Sequence, residues 1–275
     1  MSRIIVGSGD FKYEVISPFG ESSEKVEIDQ VSHVSVDSHD NIYFYQRTAC
    51  PVVVLDYKGI IIDNWENNHL VDGHGIFITS NDEIFVSARG VHEVLKFNAG
   101  GELLLRIGER GNPGWQTPFN HPTDVAISRD GDIFVTDGYG NACVHRFTPD
   151  GEHVLTWGGP GKGPGEFHTP HGVWVDDLGR VYVVDRDNNR VQIFTLDGEY
   201  ITEWGDFFHP MDIYFDSLNN IYVTDQTPRF SVLNTEGELL ARGFTPDAGH
   251  GLWGDSYGNL YLAGLQIGVV KLSKL

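Results

Sequence analysis

The stretch Pro122-Thr-Asp-Val-Ala-Ile-Ser-Arg-Asp-Gly-Asp-Ile-Phe-Val-Thr-Asp-Gly138 decides the fold. It reads as an apolar strand, an Asp/Gly turn, a second apolar strand and a closing Asp. The same unit returns as Pro170-His-Gly-Val-Trp-Val-Asp-Asp-Leu-Gly-Arg-Val-Tyr-Val-Val-Asp-Arg186, and again as Pro210-Met-Asp-Ile-Tyr-Phe-Asp-Ser-Leu-Asn-Asn-Ile-Tyr-Val-Thr-Asp-Gln226. A third strand and a second turn follow each copy, as in Arg190-Val-Gln-Ile-Phe-Thr-Leu-Asp-Gly-Glu199 and His145-Arg-Phe-Thr-Pro-Asp-Gly-Glu152. A fourth strand ends in Trp-Gly at Trp157-Gly158 and Trp204-Gly205.

Weaker copies begin near His33, His74 and His250, which makes six repeats opening at His33, His74, Thr123, His171, Met211 and His250. Their spacings of 41, 49, 48, 40 and 39 residues suit four short strands each, the size of one propeller blade. No such repeat buries both its faces alone, so six must stack around an axis. The last repeat runs out after its third strand, Gly268-Val-Val-Lys-Leu-Ser-Lys-Leu275, while Phe11-Lys-Tyr-Glu-Val-Ile-Ser17 alternates like a strand before the first. The N-terminal segment is therefore expected to supply the fourth strand of the last blade and so close the ring. The expected fold is all-β, a six-bladed β-propeller forming a single domain over residues 1–275.

Composition agrees. Hydrophobic residues at 40% and aromatics at 12% suffice for a core, and the 33 glycines fall mostly in regularly spaced turns. The net charge of −20, from 39 acidic and 19 basic residues, repels phosphate backbones and anionic lipid. No nucleic-acid or membrane partner is expected. Two cysteines, Cys50 and Cys143, do not make a disulfide framework. The first ten residues show no secretory leader pattern and no run is long enough to span a bilayer, so the expected location is the cytoplasm.

Histidines occupy the opening position in repeats two, four and six: His74, His171 and His250. Alternate blades of a six-fold ring lie about 120° apart, so three such side chains can meet at one axial point. Three imidazoles suit a borderline transition metal, zinc first and other divalent transition metals after it, with one position left for water or substrate. His33 opens repeat one, and Thr123 and Met211 open repeats three and five. These three are expected to line the channel or to support the ligands from behind. His121 and His209 precede the proline of their repeats and should turn away by strand alternation. His39, His69, His92, His145, His153 and His168 read as solvated residues of turns, loops or outer strands.

Over residues 30–275 the chain resembles the NHL-repeat family, most clearly in Asp185-Arg-Asp-Asn-Asn-Arg-Val-Gln-Ile-Phe194. More narrowly, it resembles the peptidyl-α-hydroxyglycine α-amidating lyase (peptidylamidoglycolate lyase) family. The carrying segments are Pro122-Thr-Asp-Val-Ala-Ile127, Thr136-Asp-Gly-Tyr-Gly-Asn141, Trp157-Gly158 with its Gly-Pro-Gly-Glu-Phe loop, and Thr169-Pro-His-Gly172. The resemblance implies zinc on His74, His171 and His250, a catalytic Tyr139, and catalytic arginines at Arg47 and Arg186. Gly251 stands where that family carries an aspartate that helps hold a structural calcium, so calcium is not expected here. Gly140 takes the place of a cysteine found in secreted members, which points to a relative whose substrate need not be a peptide.

The implied reaction is cleavage of a carbinolamide, R–CO–NH–CH(OH)–R′, to an amide and an aldehyde such as glyoxylate. Zinc would acidify the hydroxyl or orient a neighbouring carboxylate. Tyr139 would take the hydroxyl proton. A free tyrosine titrates near pH 10, so such a base needs positive charge beside it. Arg47 and Arg186 would supply that charge or pair a substrate carboxylate. The small-molecule substrate is therefore expected to carry a carboxylate. Read without the resemblance, Tyr139 can simply cap a channel mouth, and Arg186 can pair with Asp185 or Asp187. Two rivals stand beside the lyase. One is a metal-dependent hydrolase or lactonase on the same propeller, although the opening positions show no carboxylate set like that with which gluconolactonases hold calcium. The other is a non-catalytic binding scaffold.

Overall fold

The computed structural model describes residues 3–24, 26–115 and 118–275. They form six antiparallel sheets, one per repeat, so the fold is a six-bladed β-propeller. Apart from two single 3-10 turns, at Arg89–Val91 and Arg186–Asn188, no helix occurs among the described residues. The chain divides into two compact units, residues 70–210 and residues 1–69 with 211–275.

The 70–210 unit holds the sheets spanning 73–108, 124–158 and 170–204. Each is a meander in which consecutive strands pair, as in Val173 opposite Val183 and Val183 opposite Gln192. The turns explain the meander. Asp176 Oδ1 accepts the amides of Leu178 (3.0 Å) and Arg180 (2.8 Å), and Gly179 takes the positive φ of 77° that closes the turn. Strands one to three of each sheet are buried almost throughout, whereas fourth strands such as Tyr200–Trp204 stay largely exposed. Phe134, Val144, Phe167, Val173, Val183 and Phe194 fill one core of this unit. Burying side chains of this kind contributes roughly 1.5–3 kcal/mol each.

The other unit holds the sheets spanning 31–65 and 210–244 and a five-stranded sheet. In the last, Phe11–Ile16 pairs with Gly268–Lys274 as the fourth strand, with Val15 opposite Leu272. This is the closure expected from the alternation of residues 11–17. Ile5–Ser8 adds a fifth strand outside it, which was not anticipated.

The pairing register moves one residue. Val36 faces Ile42 in the 31–65 sheet as Ile78 faces Ile84 in the 73–108 sheet, with a register shift near the start of each first strand. Counting back from that match, Ser32 occupies the place of His74, and His33 the place of Gly75. His33 is thus one position past the opening residue that its proline-free sequence context suggested.

Candidate metal centre and its tyrosine

The 70–210 unit brings His74, Tyr139, His171 and Arg186 together. His74 and His171 begin the first strands Gly73–Ile78 and Pro170–Val175, and both are buried. Their ring centroids are 4.8 Å apart. His74 Nδ1 lies 2.6 Å from the Thr123 carbonyl. A carbonyl only accepts, so Nδ1 carries the proton and Nε2 keeps its lone pair. That carbonyl also accepts Ser87 Oγ at 2.7 Å, and the Thr123 hydroxyl reaches the Pro170 carbonyl at 2.8 Å. The strand starts are thereby pinned to one another.

Tyr139 Oη sits between the two imidazoles, 3.0 Å from His74 Nε2 and 3.2 Å from His171 Nε2. The ring reaches this place because its flanking residues have no side chain. A Cβ on Gly138 would overlap the Pro170 carbonyl oxygen, and one on Gly140 would overlap Asn120. Tyr139 is still 38% exposed, so its hydroxyl is both held and reachable.

Two guanidinium groups flank the phenol. Arg186 Cζ lies 5.5 Å from the ring centroid with Nη1 3.4 Å from Oη, and Arg89 Cζ lies 5.4 Å from the centroid. Burial works against the Arg186 charge, but Asp187 and Tyr139 outweigh it and hold its pKa above the ordinary arginine value. Asp187 accepts Arg186 Nε at 3.0 Å and also contacts Thr169 Oγ1 (2.7 Å) and His209 Nδ1 (3.1 Å). Burial alone would raise the Asp187 carboxyl, yet Arg186, Thr169 and His209 hold it below the usual range. His209 was expected to turn away. Its φ of 47° breaks strand alternation and swings the ring onto Asp187.

Arg89 escaped notice in the sequence. It follows the second strand Ile84–Ala88 and binds Asp72 through Nε (3.0 Å) and Nη2 (2.8 Å). The signal was available, since Arg47, Arg89 and Arg186 each directly follow the second strand of a sheet.

In the other unit, His250 is buried and its Nδ1 donates to the Ser32 carbonyl at 2.7 Å, the arrangement that His74 makes with Thr123. Two imidazoles with Nδ1–H on a carbonyl carry the lone pair on Nε2, the donor atom that a transition metal needs. Arg47 follows the strand Ile42–Gln46, and its backbone N–H meets the Gln30 carbonyl at 3.2 Å. Met211 is buried with Sδ 3.3 Å from Gln226 Nε2. His33 Nε2 lies 3.0 Å from Asp212 Oδ2, and this oxygen also accepts the Leu252 amide at 2.6 Å. A Cβ on Gly251 would fall 2.6 Å from His33 Cα, so the close approach of the backbone at His33 accounts for a glycine where an aspartate was looked for.

Asp212, and Asp124 in the 70–210 unit, are buried carboxylates one residue past the opening positions. Asp124 Oδ2 accepts the Val173 amide at 3.1 Å, and its side chain fills the space over Gly75. The opening positions themselves, Thr123 and Met211, carry no carboxylate. One correction concerns His92 and His145, which are buried rather than solvated. His145 lies on a third strand, Cys143–Phe147, and third strands here are interior.

Fold and repeat define an NHL-repeat six-bladed β-propeller. A family model described as a 6-bladed beta-propeller matches residues 116–231. Among curated relatives, human NHL repeat-containing protein 3 is 31% identical over 192 residues, covering 64% of this chain and 55% of that protein. A probable peptidyl-alpha-hydroxyglycine alpha-amidating lyase of Caenorhabditis elegans is 29% identical over 210 residues, covering 66% of this chain and 59% of that one. The chain thus spans little more than half the length of these relatives. A gluconolactonase from Xanthomonas campestris shares the fold at a TM-score of 0.74 and 14% identity, covering 96% of this chain and 90% of its own.

Proposed function

We propose that the protein is a carbon–nitrogen lyase that splits an N-(α-hydroxyalkyl)amide bearing a carboxylate into an amide and an aldehyde such as glyoxylate. The observation that carries this reading is the Tyr139 hydroxyl, set between His74 Nε2 and His171 Nε2 beneath two guanidinium groups. Its sequence support is the likeness to a protein named as an amidating lyase.

In this reading His74, His171 and His250 hold a zinc ion or another divalent transition metal. When bound, the ion supplies Lewis acidity toward the substrate hydroxyl. Tyr139 takes the proton from that hydroxyl. The C=O bond forms as the C–N bond breaks, and the proton passes to the departing amide nitrogen. Atoms and charge then balance without a further reactant. Arg186, braced by Asp187, and Arg89, braced by Asp72, put positive charge beside the phenol, as a phenolate base requires. Arg186 and Arg47 are the groups suited to a substrate carboxylate. The partner is then a small molecule and not a nucleic acid or a membrane. No described helix is long and apolar enough to cross a bilayer. The two free thiols, Cys50 and Cys143, are the basis for proposing a cytoplasmic location.

The test is elemental analysis of protein purified without chelator, followed by a glyoxylate assay on an N-acyl-α-hydroxyglycine. The proposal expects at least one transition metal per chain, one equivalent of it lost in His74→Ala/His171→Ala, and glyoxylate with the primary amide as products. Acid and alcohol released from an ester or lactone would instead make the protein a hydrolase. No metal uptake and no turnover would leave a binding scaffold.

A further inference from the structure

A buried aspartate ends the second strand in several sheets, and an arginine normally answers it. Asp185 accepts Arg190 Nε at 2.8 Å and Gln192 Nε2 at 3.2 Å, and Asp225 accepts Arg229 Nε at 2.6 Å. Strand pairing sets Asp185 opposite Arg190, and Asp225 opposite Arg229. In the 124–158 sheet the same register sets Asp137 opposite Cys143. Two residues on, His145 stands where the 170–204 sheet has Gln192. The arginine and glutamine around a buried carboxylate have become a cysteine and a histidine.

The three side chains converge. Cys143 Sγ lies 3.4 Å from His145 Nε2, and His145 Nε2 lies 3.4 Å from Asp137 Oδ2. All three ligand atoms lie within 4.8 Å of one another. Tetrahedral zinc with ordinary Zn–S, Zn–N and Zn–O bonds sets neighbouring ligand atoms about 3.4–3.6 Å apart. Asp137 and His145 are 0% exposed and Cys143 is 1% exposed, so the three ligand atoms are shut off from solvent. His145 Nδ1 is anchored on Thr156 Oγ1 at 2.8 Å, so Nε2 is the nitrogen that faces the cluster. Asp137 Oδ2 accepts the Asn120 amide (2.8 Å) and Asn141 Nδ2 (2.6 Å), but Oδ1 is buried with no hydrogen-bond partner. A buried carboxylate that has lost its arginine and keeps an unsatisfied oxygen calls for a cation.

We infer that Asp137, Cys143 and His145 form a buried binding site for a thiophilic divalent metal of the zinc class. The site uses none of the histidines assigned to the proposed reaction, so it stands or falls separately from that reading. A nucleophilic role for Cys143 does not compete with it. Burial, followed by the charge of Asp137, pushes the thiol pKa well up and leaves the thiol unreactive unless a metal deprotonates it.

Cobalt separates the two sites, because only a thiolate ligand gives a sulfur-to-Co(II) charge-transfer band in the near ultraviolet. Purified protein freed of metal is titrated with Co2+ and followed by absorbance and circular dichroism. The expected result is a band that saturates within two equivalents in the wild type and in Cys50→Ser, and at a single equivalent in the double variant His74→Ala/His171→Ala. The band is expected to vanish in Cys143→Ser and in Cys143→Arg. The second of these restores the arginine that the 170–204 and 210–244 sheets carry at this register, so it is expected to fold even if the serine variant does not. No band in the wild type, or a band that survives loss of Cys143, would overturn the site. Loss of glyoxylate production with the band intact would bear only on the lyase reading.

Discussion

The carbonyl oxygen of Thr123 accepts His74 Nδ1 at 2.6 Å, and this one bond sets the chemistry of the imidazole. It fixes the tautomer and aims Nε2 at Tyr139. Because Ser87 Oγ shares the carbonyl and also accepts the Gly75 amide at 2.7 Å, the orientation is built into backbone that mutation at position 123 leaves intact.

Tyr139→Phe removes the hydroxyl but no metal ligand. Glyoxylate production is expected to fall by about 10²–10⁴-fold, the usual worth of a positioned acid–base group. Metal content by elemental analysis should stay unchanged. Turnover within a few-fold of wild type would remove Tyr139 from the reaction.

Arg89→Ala strips one of the two cations from the phenol ring and removes the ion pair between Arg89 and Asp72. A cation–π contact contributes about 0.5–2 kcal/mol, so a loss of roughly 3–30-fold in kcat is expected. Arg89→Lys keeps the charge but not the fork to Asp72 and should recover only part of it. Wild-type steady-state kinetics in Arg89→Ala would count against this assignment.

Asp187 has a folded pKa below its unfolded value, so its contribution to stability is present above the unfolded value and is lost as pH falls through the folded one. Thermal melts of wild type and Asp187→Asn should therefore differ by a constant gap at pH 5 and above. The gap should close as the pH falls below about 4, near the reference aspartate value. A gap that widened on acidification would contradict the sign of the shift.

Gly138→Ala drives a methyl group into the Pro170 carbonyl oxygen. Overpacking of this kind costs about 1–3 kcal/mol, and a chain of this size loses roughly 2–4 °C of Tm per kcal/mol. Both Tm and turnover should fall, since the same turn carries Tyr139. An unchanged melting curve would show that the turn relaxes freely.

The strands were legible because turn chemistry marks them. Asp176 with Gly179, and its counterparts in the other repeats, cut the chain into strands whatever the side chains between them. His74 and His171 were legible because a proline or glycine frames each one. His33 was misplaced by one residue because the frame is missing in Val31–Val36, and a shift in strand register there changes the count without leaving a mark in composition. The cluster at Asp137 was hidden for another reason. A third strand was read as outer, and burial in a stacked sheet depends on the neighbouring blade, which no local pattern records.

The strand Phe11–Ile16 pairs on its outer edge with Ile5–Ser8, but its inner edge is completed by Gly268–Lys274, at the far end of the chain. During synthesis, residues 11–16 leave the ribosome long before that second partner exists. Meanwhile the backbone donors and acceptors of the inner edge must stay hydrated or find a substitute. The final sheet therefore acts as a checkpoint on translation, since no nascent chain short of residue 268 can complete it. Any product cut off earlier leaves the inner edge of that strand open, and chaperones and proteases can recognise such an edge.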